Sequence, residues 1–232
     1  MTLDVAANLE RVRGRIRHAC EKAGRDPAGV RLVAVSKTQP AEAVRAACDA
    51  GQTDFGENYV QELLAKAEAV GSGVRWHFIG RLQTNKVKPL LGITALIHSV
   101  DRMKLLEEIA RRAEQAGVVA SCLIEINLGD EATKGGAGET EIETLLRAAR
   151  PLSHVEIRGL MAIPPFLDDP EALRPYHRRL AALARRLREA TGLLLPEVSM
   201  GMSSDLEAAV EEGATIVRVG TDIFGPRRKT AT

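Results

Sequence analysis

The stretch Val30-Arg31-Leu32-Val33-Ala34-Val35-Ser36-Lys37-Thr38-Gln39-Pro40-Ala41-Glu42-Ala43-Val44-Arg45-Ala46-Ala47-Cys48-Asp49-Ala50 holds the repeating unit of the fold. Val30 to Ser36 is short, apolar and β-branched, which is the composition of a buried strand. Ala41 to Ala50 has a helical pattern. The same strand-like runs recur at Thr53 to Gly56, Val74 to Ile79, Ala95 to Val100, Ser121 to Leu128, Val155 to Ile163, Glu197 to Met202 and Thr215 to Gly220. Helical patterns follow most of them, at Tyr59 to Ala69, Asp101 to Ala116, Glu139 to Arg150, Pro170 to Thr191 and Ser204 to Glu212. Only a brief helix fits Gln83 to Leu91, which contains Pro89. Eight such runs with intervening helices predict an α/β chain folded as a (β/α)8 barrel of TIM type rather than an open sheet. An extra N-terminal helix is expected from Thr2 to Gly24, with Val5, Leu9, Val12, Ile16 and Ala19 on its apolar face.

The composition sets outer bounds. With 232 residues and 45% hydrophobic content the chain can bury one sizeable core, and it reads as a single domain over residues 1–232. Lys and Arg number 32 against 31 for Asp and Glu, so no global field recruits nucleic acid or an anionic membrane. Any anion site must therefore be local. Aromatic residues make up 3%, too few for a platform that stacks single-stranded nucleic acid. Cys20, Cys48 and Cys122 are widely spaced and show no C-x-x-C pattern, as expected of reduced thiols in a cytoplasmic protein without a metal site. The N-terminus lacks a basic segment followed by an apolar one, and no apolar run approaches a membrane span, so a soluble, non-exported protein is expected.

In a barrel of this kind the site forms at the C-terminal ends of the strands. The first strand ends in Lys37. A solvated lysine is a cation and a poor nucleophile, but an amine at the mouth of an apolar core has its charged form disfavoured and can attack a carbonyl. The alternative is a lysine that snorkels into solvent. The second strand is followed by Gly56-Glu57-Asn58, the seventh runs into Ser199-Met200-Gly201-Met202-Ser203-Ser204-Asp205, and the eighth gives Arg218-Val219-Gly220-Thr221. Loops after strands seven and eight commonly bind phosphate, because glycine lets backbone N–H groups approach and a helix N-terminus adds a favourable dipole. Ser203 or Ser204 is expected to cap the helix that follows, since Ser204-Asp205-Leu206-Glu207 has capping-box spacing, and Gly220 and Thr221 offer a second pair of donors. Together with a strand-end lysine, these loops favour a phosphorylated carbonyl ligand. Arg218, flanked by Val217 and Val219, either pairs with an acidic neighbour or faces the barrel mouth and contacts a ligand.

Other polar residues carry weaker signals. Lys134 sits in a polar, glycine-rich loop, and Lys86 and Lys88 read as surface charge. His77, within a strand, reads as a structural hydrogen-bonding group rather than a proton carrier. Neither Tyr59 nor Tyr176 has a partner that marks it as a base. Arg174, Arg178, Arg179, Arg185, Arg186 and Arg188 lie between the apolar positions Leu173, Tyr176, Leu180, Leu183 and Leu187, as on the solvated outer face of a barrel helix. Walker, H-E-x-x-H and complete G-x-G-x-x-G motifs do not occur.

Several segments match a known family in order: Ala34-Val35-Ser36-Lys37, Phe55-Gly56-Glu57-Asn58-Tyr59-Val60-Gln61-Glu62, Trp76-His77-Phe78-Ile79-Gly80-Arg81-Leu82-Gln83-Thr84-Asn85-Lys86, Gly159-Leu160-Met161, Ser199 to Asp205, and Val217 to Thr221. On these segments the chain, from its first helix to Gly225, resembles the pyridoxal 5′-phosphate (PLP) homeostasis proteins of the PLPBP (YggS/PROSC) type. The resemblance implies a fold-type-III barrel like the N-terminal domain of alanine racemase, with PLP held as an internal aldimine. Carried over by position, it implies Lys37 as the Schiff-base lysine, Ser203, Gly220 and Thr221 as phosphate ligands, Arg218 facing the pyridine nitrogen, and Asn58 lining the pocket. A guanidinium cannot accept a proton, so beside the ring nitrogen it disfavours pyridinium and weakens the ring as an electron sink.

The resemblance implies a PLP carrier or regulator in intracellular PLP homeostasis, without a turnover reaction of its own. PLP-dependent apoenzymes are the candidate recipients, and a monomer or weak dimer is expected. The rival is an amino-acid racemase or another fold-type-III PLP enzyme. Such racemases add a β-rich domain that supplies a tyrosine, and no room for one is expected after the eighth strand. A class I aldolase barrel would keep Lys37, but no acid/base partner is evident.

Overall fold

In the computed structural model, which describes residues 4–129 and 135–226, eight parallel strands close into a barrel in chain order. They are β1 (Arg31–Val35), β2 (Asp54–Glu57), β3 (Arg75–Phe78), β4 (Thr94–Val100), β5 (Ala120–Ile126), β6 (Val155–Ala162), β7 (Glu197–Ser199) and β8 (Ile216–Val219). Closure comes from β8 pairing with β1, where Val33 lies beside Arg218 and Ala34 beside Val219. The helices are α1 (Val5–Lys22), α2 (Ala41–Asp49), α3 (Val60–Val70), α4 (Met103–Ala116), α5 (Glu139–Ala149), α6 (Arg174–Thr191), α7 (Leu206–Glu211) and α8 (Thr221–Phe224). Between β3 and β4 the chain makes two short 3₁₀ turns, Thr84–Lys86 and Lys88–Leu90, since Pro89 cannot continue an α-helix.

The extra helix completes the outer ring. Its apolar positions Val5, Leu9, Val12, Ile16 and Ala19 are all buried, and the Asp4 carboxylate caps it by accepting from the Ala7 N–H at 3.0 Å. It packs against α7, α8 and α2. Because α8 is a single turn, α1 covers the outer face of the barrel beside β8.

Strand residues alternate between two environments. Outward residues such as Ala34, Phe55, Ile97, Cys122, Leu160 and Val217 join the large core shared with the helices. Inward, one apolar cluster of Val33, Leu96, Leu123, Met161 and Ile216 fills part of the barrel. The rest of the interior includes buried polar side chains: Asp54, His77, His98, Glu125, Ser199 and Arg218. Burial holds the Cys122 thiol up at about 12, so it behaves as an inert apolar group.

Several expectations are corrected. The strand expected to reach Met202 ends at Ser199, and the helix expected from Ser204 begins at Leu206 with Asp205 as its N-cap. Neither Ser203 nor Ser204 caps it. The Asp205 carboxylate instead accepts from the Met202 N–H at 2.7 Å and meets His177 Nε2 at 3.0 Å, which draws the turn backwards. The helix expected from Pro170 opens as a 3₁₀ turn, Pro170–Leu173. Its arginines are not all merely solvated: Arg174 reaches Glu211 at 2.9 Å, Arg178 reaches Glu212 at 2.8 Å and Arg179 reaches Glu139 at 2.6 Å, tying α6 to both neighbours. The short helix α8 was not legible in the sequence pattern. Lys134 and the basic residues Arg227 to Lys229 lie outside the described residues.

Candidate functional site

Every residue expected at the site lines one cavity of about 540 Å³ at the C-terminal mouth of the barrel: Lys37, Asn58, Ser203, Arg218, Gly220 and Thr221. They come from four consecutive staves of the closed barrel, β7, β8, β1 and β2, and the loops that follow them. Lys86, Lys88 and His77 are not in its wall.

Lys37 is partly buried at the end of β1, and Thr38 beyond it has φ of +63°, a left-handed turn that an L-residue adopts only under constraint. The constraint comes from behind. Lys66 Nζ, on α3, donates to the Ser36 carbonyl at 2.7 Å, to Glu57 Oε1 at 2.7 Å and to Glu62 Oε2 at 3.0 Å. The same Glu62 oxygen accepts from the Thr38 N–H at 2.8 Å, and Ser36 Oγ donates to Glu57 Oε1 at 2.6 Å. The backbone on both sides of Lys37 is thus held. Burial pushes the Glu57 carboxyl up, while Lys66 and Ser36 oppose the shift.

Asn58 is placed by a close backbone crossing. A Cβ on Gly80 would lie 2.1 Å from the Asn58 carbonyl oxygen, so only glycine fits there. The Asn58 Oδ1 atom is buried and has no hydrogen-bond partner among the described residues.

The loops after β7 and β8 form a set of donors. Among the described residues, the backbone N–H groups of Ser203, Ser204 and Thr221 have no acceptor within the chain. Arg15, on α1, locks the two loops together. It donates to the Ser203 carbonyl at 2.9 Å, to Glu207 at 2.6 and 2.8 Å, and to the Asp222 carboxylate. Asp222 lies in the cavity wall, and this ion pair offsets the negative charge beside the free N–H groups. Arg218 is 4% exposed on β8 and donates to Ser199 Oγ at 2.6 Å and to the Ala162 carbonyl at 3.0 Å. Burial pulls its pKa down to about 10, opposed by Asp205 and Glu125, so it remains a cation at neutral pH. No carboxylate lies within ion-pair distance of it among the described residues. Arg218 thus lines the cavity without an acidic partner within that distance among the described residues.

Lys66 and Arg15 were missed in the sequence. Each sits on a helix among other charged residues and gains its meaning from partners on distant segments.

The cavity can receive an anionic group at the free N–H donors and a carbonyl at Lys37. The model of the alanine racemase N-terminal domain family matches residues 7–228. A pyridoxal phosphate homeostasis protein of Aquifex aeolicus is 48% identical over 227 residues, covering 97% of this chain and all of that one. The chain belongs to the pyridoxal phosphate homeostasis protein family. Another member, from Pseudomonas aeruginosa, is 44% identical over 96% of both chains. PipY of Synechococcus elongatus, solved with PLP bound, superposes with a TM-score of 0.85 at 36% identity, covering 95% of this chain and 100% of that one. Family membership fits the barrel and its extra N-terminal helix, and no helix among the described residues is long and apolar enough to cross a membrane.

Proposed function

We propose that this chain binds PLP at the barrel mouth through Lys37 and serves PLP homeostasis inside the cell as a carrier or regulator. The observation that carries this reading is the convergence of Lys37, the free N–H groups of Ser203, Ser204 and Thr221, and buried Arg218 on one cavity. These residues fit the cofactor. The N–H groups and the hydroxyls of Ser203 and Thr221 would hold its phosphate. Asn58, with its unpartnered Oδ1, would face a donor on the ring or its substituents. Arg218 would meet the ring nitrogen as a donor and keep it unprotonated. When bound, PLP supplies an aldehyde that condenses with an amine and a ring that can draw electrons from the carbon bearing that amine.

The wall also favours holding over turnover. Among the described residues it contains no tyrosine, histidine or glutamate, and its one acid, Asp222, is paired with Arg15. A racemase needs a base on each face of the substrate carbon, and Lys37 supplies one. A guanidinium at the ring nitrogen further weakens carbanion chemistry. PLP-dependent apoenzymes are the recipients this reading names.

The test is spectroscopic. Purified protein incubated with PLP should gain a visible absorption band, borohydride should fix the label on the peptide containing Lys37, and Lys37→Ala should abolish both. A colourless protein would overturn the reading. Turnover of D- or L-amino acids by the loaded protein would replace carrier with enzyme.

A further inference from the structure

The barrel interior contains a continuous line of hydrogen bonds that the ligand site does not account for. Asp54 Oδ1 on β2 meets His77 Nε2 on β3 at 2.9 Å, His77 Nδ1 meets His98 Nε2 on β4 at 2.9 Å, and His98 Nδ1 meets Ser199 Oγ on β7 at 3.0 Å. Ser199 Oγ in turn accepts from Arg218 at 2.6 Å. The histidines and Ser199 are fully buried, and Asp54 and Arg218 are nearly so. The line starts at the opposite end of the barrel from the cavity and ends on a residue in the cavity wall.

Its direction is fixed by elementary donor accounting. Asp54 is held as an anion: Thr53 Oγ1 donates to it at 2.8 Å, and Arg75 and Arg31 stand 3.5 and 3.7 Å from its Oδ1. An ionised carboxylate only accepts, so His77 carries its proton on Nε2. Burial disfavours the doubly protonated ring in both histidines, more strongly in His98, where His77, Arg218 and Arg31 add to it. His77 Nδ1 therefore accepts from His98 Nε2–H. His98 Nδ1 then accepts from the Ser199 hydroxyl, which leaves an Oγ lone pair for Arg218.

We propose that Asp54, His77, His98 and Ser199 form a one-way donor chain that presents a lone pair to Arg218 and so positions its guanidinium for the ligand in the cavity. Each link polarises the next toward Arg218 as acceptor, so the negative charge of Asp54 is expressed at the far end of the barrel. The chain gives the buried cation a partner where no carboxylate stands within ion-pair distance among the described residues. Ser199, His98, His77 and Asp54 are thus positioning residues, and the identity of the ligand they serve rests on the function proposed above.

Two measurements decide it. In the ligand-free native protein, NMR of the histidine-ring nitrogens at about pH 7.5 should show His77 and His98 both neutral, with the proton on Nε2. A proton on Nδ1 of either ring at that pH would overturn the chain. In the PLP-loaded protein, Ser199→Ala should move the visible band and weaken PLP binding about tenfold, the effect of losing a hydrogen bond to a charged group. Ser199→Thr, which keeps the hydroxyl, should restore both. A Ser199→Ala protein with native spectrum and affinity would overturn the positioning role, even if its thermal stability fell. Should the native protein take up no PLP, the proposed function fails while the NMR result still decides the chain.

Discussion

Lys66 shapes the site without entering it. Its ammonium sits among the Ser36 carbonyl, Glu57 and Glu62, and these are the groups that fix the turn on either side of Lys37. Lys66 and Glu57 are 6% and 0% exposed, so removing the cation leaves a carboxylate stranded in a low-dielectric setting. Lys66→Met should destabilise the fold by about 3–5 kcal/mol, read from urea unfolding, and should slow borohydride labelling of Lys37 in the remaining folded protein. Native-like stability in that variant would show that the ion pair contributes little. Lys37 was legible because an amine closing an apolar strand is a local pattern. Lys66 was not, because Glu62 and Lys66 at i and i+4 also describe an ordinary solvated helix face, and its other two partners, Ser36 and Glu57, arrive only when β1 and β2 pair.

At the scale of elements, α1 was legible from its apolar spacing, but its polar face is what bears on function. Arg15 lies on that face and links residue 203 in the loop after β7 to residue 222 in α8. A surface pair of this kind contributes little alone, yet Arg15 is the centre of a network that includes Glu207 and a backbone carbonyl. Arg15→Ala should weaken PLP binding about tenfold while leaving the labelling site at Lys37 unchanged, because it frees the Asp222 charge beside the free N–H groups of the cavity wall and unties the two loops. Competition by inorganic phosphate, measured against the native protein, should weaken in parallel. The misread cap after β7 has the same origin. Spacing pointed to Ser204, but His177 from α6 holds the Asp205 carboxylate, a contact between segments far apart in the chain.

For the whole molecule, strand number, order and closure followed from the recurrence of apolar runs and helical patterns, whereas the polar filling of the barrel did not. Single strand residues such as Asp54 and His98 look incidental until closure brings them into line. That filling gives global stability an opposed pH dependence. Glu125 is raised from 4.5 to about 7 by burial first and the Asp101 charge second. A carboxyl raised in the fold stabilises it fully below its unfolded value and loses that contribution as pH climbs to the folded value, at most about 3 kcal/mol here. His77 and His98 act with the opposite sign: their lowered values cost stability as pH falls below the ordinary histidine range. Glu125→Gln should therefore gain stability relative to the native protein between about pH 5 and 8, with most of the gain by pH 7, in paired urea titrations. A constant difference between the two proteins across that range would refute the assignment.

The clamp made by Arg15 also sets an order of events in time. Its partners lie roughly 190 to 210 residues further along the chain, and the apolar face of α1 packs on α7 and α8, which are equally distant. A chain emerging from the ribosome makes its first helix early and can pack it on α2, but the part of that face that meets α7 and α8 stays uncovered until nearly all of the barrel has been synthesised. Contacts of such long sequence separation form late and leave intermediates prone to aggregation. Refolding should accordingly show secondary structure recovering before phosphate-binding competence, with the delay set by the docking of α1.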